Sequence, residues 1–172
     1  MQFNSRSIAG LALIVCLSGA GLARTPLPPA GEDGVVFMND EQPMMRKAFA
    51  RAKAELDDFL ALAQSPGKDH TGFALKVGLP AGDGTEYVWI VDFKGNEAGN
   101  FTGTINNDVE MTTQYKLGDK YSFRKDDIVD WIYFDSSTAR MYGNYTLCAL
   151  LSAEPEDVAA RMKAEYQLDC KL

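Results

Sequence analysis

Six polar residues are the candidates for chemistry in this 172-residue chain: Asp83, Glu86, Asp126, Asp127, Asp130 and Asn144. Two carboxylates that meet in a cleft can exchange a proton with a reacting bond or hold a hard cation through oxygen. Glu86 and Asp130 are the pair to which hydrolytic work would fall. Structural roles compete with this reading. Asp83 sits in Gly82-Asp83-Gly84, where an aspartate bonds its own backbone in a turn, and Asp126 stands shortly before Ile128 like a turn or cap residue. Oxygen donors are sparser here than in a calcium loop. No metal and no cofactor is expected.

The other candidates are aromatic. Trp89, Trp131, Tyr87, Tyr133, Tyr142 and Tyr145 fall in segments that read as strands, where aromatics serve packing first. A tryptophan beside carboxylates and an amide on a concave sheet is also how a binding groove is lined. The candidate binding surface is therefore Asp83, Glu86, Trp89, Asp126, Asp130, Trp131, Tyr142 and Asn144. His70 is the sole histidine. It follows Asp69 in what reads as a loop, and neither a triad nor a zinc site finds enough partners around it.

The elements that must position these residues follow from periodicity. Asn39 or Asp40 offers an N-cap, Pro43 suits a first turn, and apolar residues recur with helical spacing from Met45 to Ala63. Ser65-Pro66-Gly67 ends that helix. Alternation then takes over at Phe73, Leu75, Val77 and Leu79, with further strands expected at Glu86–Phe93, Asn100–Ile105, Tyr121–Arg124, Ile128–Phe134 and Arg140–Leu150. Met111 to Tyr115 is ambiguous. Ser152 is placed to cap a last helix, with Glu154, Glu156 and Asp157 in its first turn and a stripe of Val158, Met162 and Tyr166. The fold class is α+β: one domain, a five- or six-stranded, mostly antiparallel, bent sheet with an N-terminal and a C-terminal helix.

Several segments carry a resemblance. Phe73-Ala74-Leu75-Lys76-Val77, Gly82-Asp83-Gly84-Thr85-Glu86-Tyr87-Val88-Trp89-Ile90, Phe101-Thr102-Gly103-Thr104-Ile105-Asn106-Asn107, Asp126-Asp127-Ile128-Val129-Asp130-Trp131-Ile132-Tyr133 and Met141-Tyr142-Gly143-Asn144-Tyr145-Thr146 resemble, in this order, the bacterial YegJ-like family. The likeness covers about residues 40–150. That family is a domain of unknown function, so the resemblance implies no activity, cofactor or catalytic residue.

The N-terminus reads as an address. A polar stretch with Arg6 leads into Leu11-Ala12-Leu13-Ile14-Val15-Cys16-Leu17, and Gly21 and Ala23 suit cleavage after Ala23. Residues 1–23 are expected to be a signal peptide and 24–38 a Pro- and Gly-rich flexible leader, followed by the folded domain over 39–172. The apolar run is too short to span a bilayer. The whole chain has a formal charge of −7, with 24 acidic and 17 basic residues. Removing the signal takes away Arg6 alone, and this acidity excludes nucleic acid as a partner. It also removes Cys16, leaving Cys148 and Cys170, which are expected to pair in an oxidising compartment and to stabilise by roughly 3 kcal/mol.

These features predict a periplasmic or secreted binding module, immunity-like or stress-related, whose partner is another protein or an envelope component. The alternative is a small envelope hydrolase or lyase using Glu86 and Asp130. After signal removal no membrane span is expected.

Overall fold

The computed structural model describes residues 40–171; the expected signal peptide, the expected leader and Asn39 lie outside them. The helical period after Pro43 produces two helices, α1 (Pro43–Ala54) and α2 (Leu56–Gln64), rather than the single one expected. Pro43 opens α1 at a position where its missing N–H costs nothing. The residue before it, Gln42, makes no side-chain cap. Asp40 instead accepts a hydrogen bond from the Tyr87 hydroxyl (2.6 Å). The helix turns at Glu55 (φ −105°, ψ 4°). Just before this turn the Ala52 carbonyl accepts the indole N–H of Trp131 (3.0 Å), and a side chain that competes for a helical carbonyl is a known cause of kinks.

Alternating residues build β1 (His70–Ala81), β2 (Gly84–Gly95), β3 (Asn100–Ile105), β4 (Lys120–Arg124), β5 (Ile128–Asp135) and β6 (Arg140–Gly143). They form one six-stranded sheet in the order β4-β3-β2-β1-β5-β6, with every neighbouring pair antiparallel. His70 is thus the first residue of β1, not a loop residue. The segment of residues 106–119, which includes Met111 to Tyr115, has no regular structure.

Three bulges bend the sheet. The register slips by one residue between Thr71 and Ala74, between Val91 and Lys94, and at Val129. The first two contain Gly72 (φ 66°) and Asp92 (φ 49°), both left-handed. A bulge sharpens local twist and re-aims the residues beyond it. The curl is tight enough for the Tyr121 hydroxyl on β4 to approach the Gly78 carbonyl on β1 (3.5 Å). A 3₁₀ turn, Lys125–Asp127, then carries the chain to β5.

The concave face holds the core. Met45, Ala48, Ala52, Leu56 and Phe59 from the helices pack on Leu75, Val77, Val88, Ile90, Phe101, Ile105, Phe123 and Trp131.

The clearest departure from the sequence expectation follows β6. The strand expected to run to Leu150 stops at Gly143, and α3 (Tyr145–Leu151) takes its place. Gly143 (φ 77°) and Asn144 (φ 54°) are consecutive left-handed residues, which no strand can absorb. A Cβ on Gly143 would lie 2.0 Å from the Trp131 carbonyl oxygen, so glycine is required there. Ser152 therefore closes α3 instead of opening the last helix, and its hydroxyl donates to the Ala149 carbonyl (2.6 Å).

That last helix, α4 (Glu156–Glu165), starts after Pro155. Its acids Glu156 and Asp157 do sit in the first turn. Its buried residue is Ala159, flanked by half-buried Val158 and Met162, while Tyr166 is exposed. Cys148, Leu151, Ala159 and Leu168 make a second, small core. Cys148 and Cys170 are joined by a disulfide. No helix among the described residues is long and apolar enough to cross a membrane.

Candidate functional site

The bulges decide which candidate residues meet. Asp83 is exposed in the hairpin between β1 and β2. The Glu86 carboxylate accepts the backbone N–H groups of Glu110 (2.7 Å) and Met111 (2.9 Å), which ties down the long segment before β4. Asp126 is exposed in the 3₁₀ turn, while Asp127 accepts the N–H of Arg124 (2.8 Å). Glu86 pairs with Leu79 across β1 and β2, and Asp130 pairs with Lys76 across β1 and β5. An odd separation along a regular strand puts these partners on opposite faces. Glu86 and Asp130 consequently do not share a cleft.

Asp130 lies on the convex side because the Val129 bulge turns it away from Ile128, which pairs with core residue Val77. It is 0% exposed, and Thr146 is 3% exposed. One carboxylate oxygen accepts the Trp131 N–H (2.9 Å). The other accepts both the N–H (2.8 Å) and the hydroxyl (2.7 Å) of Thr146. Lys76 Nζ donates to the same Thr146 oxygen (2.9 Å) and stands 5.2 Å from the Trp89 ring centroid. Burial pushes the Asp130 carboxyl up, against the hydrogen bonds from Thr146 and Trp131 and the charge of Lys76. Burial likewise pulls the Lys76 amine down, partly offset by Asp130. Both Asp130 carboxylate oxygens are engaged in hydrogen bonds, so the network works as a fastener. It fixes the start of α3 to β1 and β5.

The neighbours of these residues point the other way. Trp131 follows Asp130 and Tyr145 precedes Thr146, and these two aromatics turn toward the helices. There they line a cleft of about 410 Å³ whose walls also include Arg51, Glu55, Asp58, Phe59, Tyr133, Tyr142, Asp169 and Lys171. Trp131 stacks on Phe59 (4.8 Å between centroids), Tyr133 on Tyr142 (5.1 Å), and Trp131 meets Tyr145 edge-on (5.5 Å). These are spacings at which aromatic pairs attract.

The charged groups stand around the aromatic floor. Glu55, at the helix kink, accepts the Tyr145 hydroxyl and the Arg51 Nε (2.6 Å). The Arg51 guanidinium carbon lies 5.7 Å from the Tyr145 ring centroid. Burial and the bond to Glu55 push the Tyr145 hydroxyl above its ordinary range. The Glu55 carboxylate in turn holds Arg51 above its ordinary value. Asp169 pairs with Lys171 (2.8 Å) and Arg140 (3.4 Å), and the hydrogen bond from Lys171 leads the effects that hold its carboxyl below the usual range. Asp58 is exposed and makes no ion pair or side-chain hydrogen bond among the described residues.

Of the candidate residues read from the sequence, Trp131 and Tyr142 thus line this cleft. Asn144 holds the turn beneath it by donating its N–H to the Trp131 carbonyl (2.9 Å). Trp89 lies elsewhere. It borders a second cavity, of about 580 Å³, with Gly72, Val91, Asp92, Asn106 and Ile132, beside the two left-handed bulges. Sequence reasoning missed Arg51, Glu55, Asp58, Asp169 and Lys171 as lining residues. A signal for the last two existed: once Cys170 is bonded to Cys148, its flanking residues must come close to Tyr145, one helical turn away. Among the described residues no group of three or more His, Cys, Asp or Glu is arranged to hold a metal.

A family model described as "Uncharacterized protein conserved in bacteria (DUF2314)" matches residues 42–169. The chain is 30% identical over 133 residues to "Uncharacterized protein YegJ" of Escherichia coli (strain K12), covering 77% of this chain and 84% of that protein. No solved structure matches.

Proposed function

Because the chain belongs to the bacterial family of uncharacterized proteins DUF2314, whose description carries no activity, we propose a function from the geometry: an exported binding module whose aromatic cleft receives a basic side chain of another envelope protein. The signal-like N-terminus and the Cys148–Cys170 bond support export, since disulfides persist in oxidising compartments.

The observation that carries the binding role is the cleft itself. Its floor is Trp131, Tyr133, Tyr142 and Tyr145, and its rim has three acids against two bases. Arg51 and Lys171 are each neutralised by a neighbouring carboxylate, whereas Asp58 is left free to take a cation. A guanidinium or ammonium over an aromatic face gains about 0.5–2 kcal/mol, depending on how dry the site is. Arg51 over Tyr145 already makes this contact within the wall. The excess of acid over the whole chain favours the same class of partner by steering. No observation favours the carboxylate hydrolase over this reading.

A positional-scanning hexapeptide array, probed with residues 24–172, tests it. Peptides with arginine or lysine beside an apolar residue should be retained, and Asp58→Asn and Tyr142→Ala should each weaken retention by about threefold to tenfold. Preference for acidic peptides, or equal retention by both variants, would refute the reading.

A further inference from the structure

We propose that the Cys148–Cys170 disulfide is a redox latch on the aromatic cleft: it pins residues 169–171 against the opening, and its reduction frees them. The proposal rests on the cleft being the binding site. The chain up to Leu168 is secured without the bond. Leu168 is 9% exposed in the small core, its N–H donates to the Lys163 carbonyl (2.9 Å), and it forms a parallel bridge with Met141. Gln167 accepts the Met141 N–H (3.1 Å). Beyond Leu168 the holds are weak. The backbone hydrogen bond there is local, from Lys171 N–H to the Asp169 carbonyl. The ion pairs of Asp169 are to the exposed side chains of Arg140 and Lys171, a class that contributes little. The covalent bond is therefore what keeps Asp169 and Lys171 in the cleft wall.

The two sulfurs differ in access. Cys148 is 2% exposed within α3, three residues after Tyr145, while Cys170 is half-buried. A dithiol reductant reaches Cys170: its thiolate attacks Cys170 Sγ, the S–S bond breaks, and Cys148 leaves as a thiolate that takes up a proton. The second thiol of the reductant then resolves the mixed disulfide and leaves Cys170 protonated. The protein gains two electrons and two protons, and the reductant becomes a cyclic disulfide. With the tail free, Lys171 no longer competes with a cationic guest for the cleft, and Trp131 and Tyr142 lose one wall.

The test needs no ligand. In Trp89→Phe, Trp131 is the remaining tryptophan, and acrylamide quenching of its fluorescence is compared in oxidised protein, in protein reduced with dithiothreitol, and in Cys170→Ser. Reduction and Cys170→Ser should each raise the quenching constant by about twofold, with far-UV circular dichroism unchanged, as expected for local opening. Wild-type protein labelled with 5-fluorotryptophan gives the same reading without the Trp89 substitution: the Trp131 resonance moves and that of Trp89 stays. Unchanged quenching with both thiols shown free by mass spectrometry would overturn the latch. So would loss of helix on reduction, or a native bond that dithiothreitol does not reduce. A cleft that opens on reduction yet retains no basic peptide would sink the proposed function and leave the latch standing.

Discussion

Replacing Asp130 by asparagine should loosen the start of α3 and, through it, the cleft. Asp130 accepts the Trp131 N–H on one oxygen and two Thr146 donors on the other. Asparagine has one oxygen and an NH₂ group in their place. Facing the oxygen toward Thr146 keeps two bonds but sets the NH₂ group against the Trp131 N–H, leaving a buried donor unsatisfied at a cost of about 1–3 kcal/mol. The bonds that remain lose their charge assistance, and Lys76 loses the nearby charge that offsets its burial. Against this, the carboxylate no longer has to be desolvated, a relief that is real because burial raises its protonation range. The net destabilisation should be about 2–4 kcal/mol, below the usual cost of breaking a buried pair outright. Urea unfolding followed by tryptophan fluorescence reads this as a lower midpoint at unchanged slope. A shift within about 0.5 kcal/mol, the ordinary range of surface substitutions, would refute the fastening role of Asp130.

Gly143→Ala puts a Cβ 2.0 Å from the Trp131 carbonyl oxygen at a φ of 77°, and should cost about 3 kcal/mol or more, visible as lost soluble yield or a collapsed thermal midpoint. Because burial lowers the Lys76 amine, the folded state holds fewer protons than the unfolded one just below the ordinary value of 10.5, so stability should rise with pH as that value is approached. Comparing wild type with Lys76→Met from pH 7 to 9.5 isolates this slope, and parallel curves would count against it. Asp135 gives a slope of the same sign in the acid range: the Ser137 hydroxyl leads the bonds that hold its carboxyl below the ordinary 3.8. Its contribution is complete above that value and should disappear as pH falls through the native range, whereas Asp135→Asn flattens the acid limb of the stability curve. The double change Cys148→Ser with Cys170→Ser should lower stability by about 3 kcal/mol for a sequence separation of 22, measurable by urea titration against the oxidised parent.

Much of this fold follows from local pattern. The alternation of Phe73, Leu75, Val77 and Leu79 and the Gly82-Asp83 turn specify the first hairpin, because period and turn chemistry agree. The pairing of Cys148 with Cys170 follows from counting the cysteines that an expected signal peptide over 1–23 would leave, although the sequence predicts strand and helix between them where the chain forms two helices. What escaped was non-local. Tyr145-Thr146-Leu147-Cys148 has strand-like composition, and only the adjacent left-handed Gly143 and Asn144, forced by the close approach of the Trp131 carbonyl, make it a helix. The kink at Glu55 has no proline or glycine to announce it, since its partners Trp131 and Tyr145 come from far along the chain. The same holds for the site. Trp131 and Tyr142 could be named from sequence. That Asp130 faces away from Glu86 depends on the bulge at Val129, which leaves no mark in residue type.

The binding role of the aromatic cleft is tested most directly by titrating ¹⁵N-labelled residues 24–172 with Nα-acetylarginine amide and following the two tryptophan indole N–H signals by NMR. The Trp131 signal, whose N–H is held by the Ala52 carbonyl and whose ring lines the cleft, should move in step with the backbone amides of Tyr142 and Tyr145, while the Trp89 signal on the opposite face stays in place. A moving Trp89 signal with a stationary Trp131, or no movement of either, would contradict it.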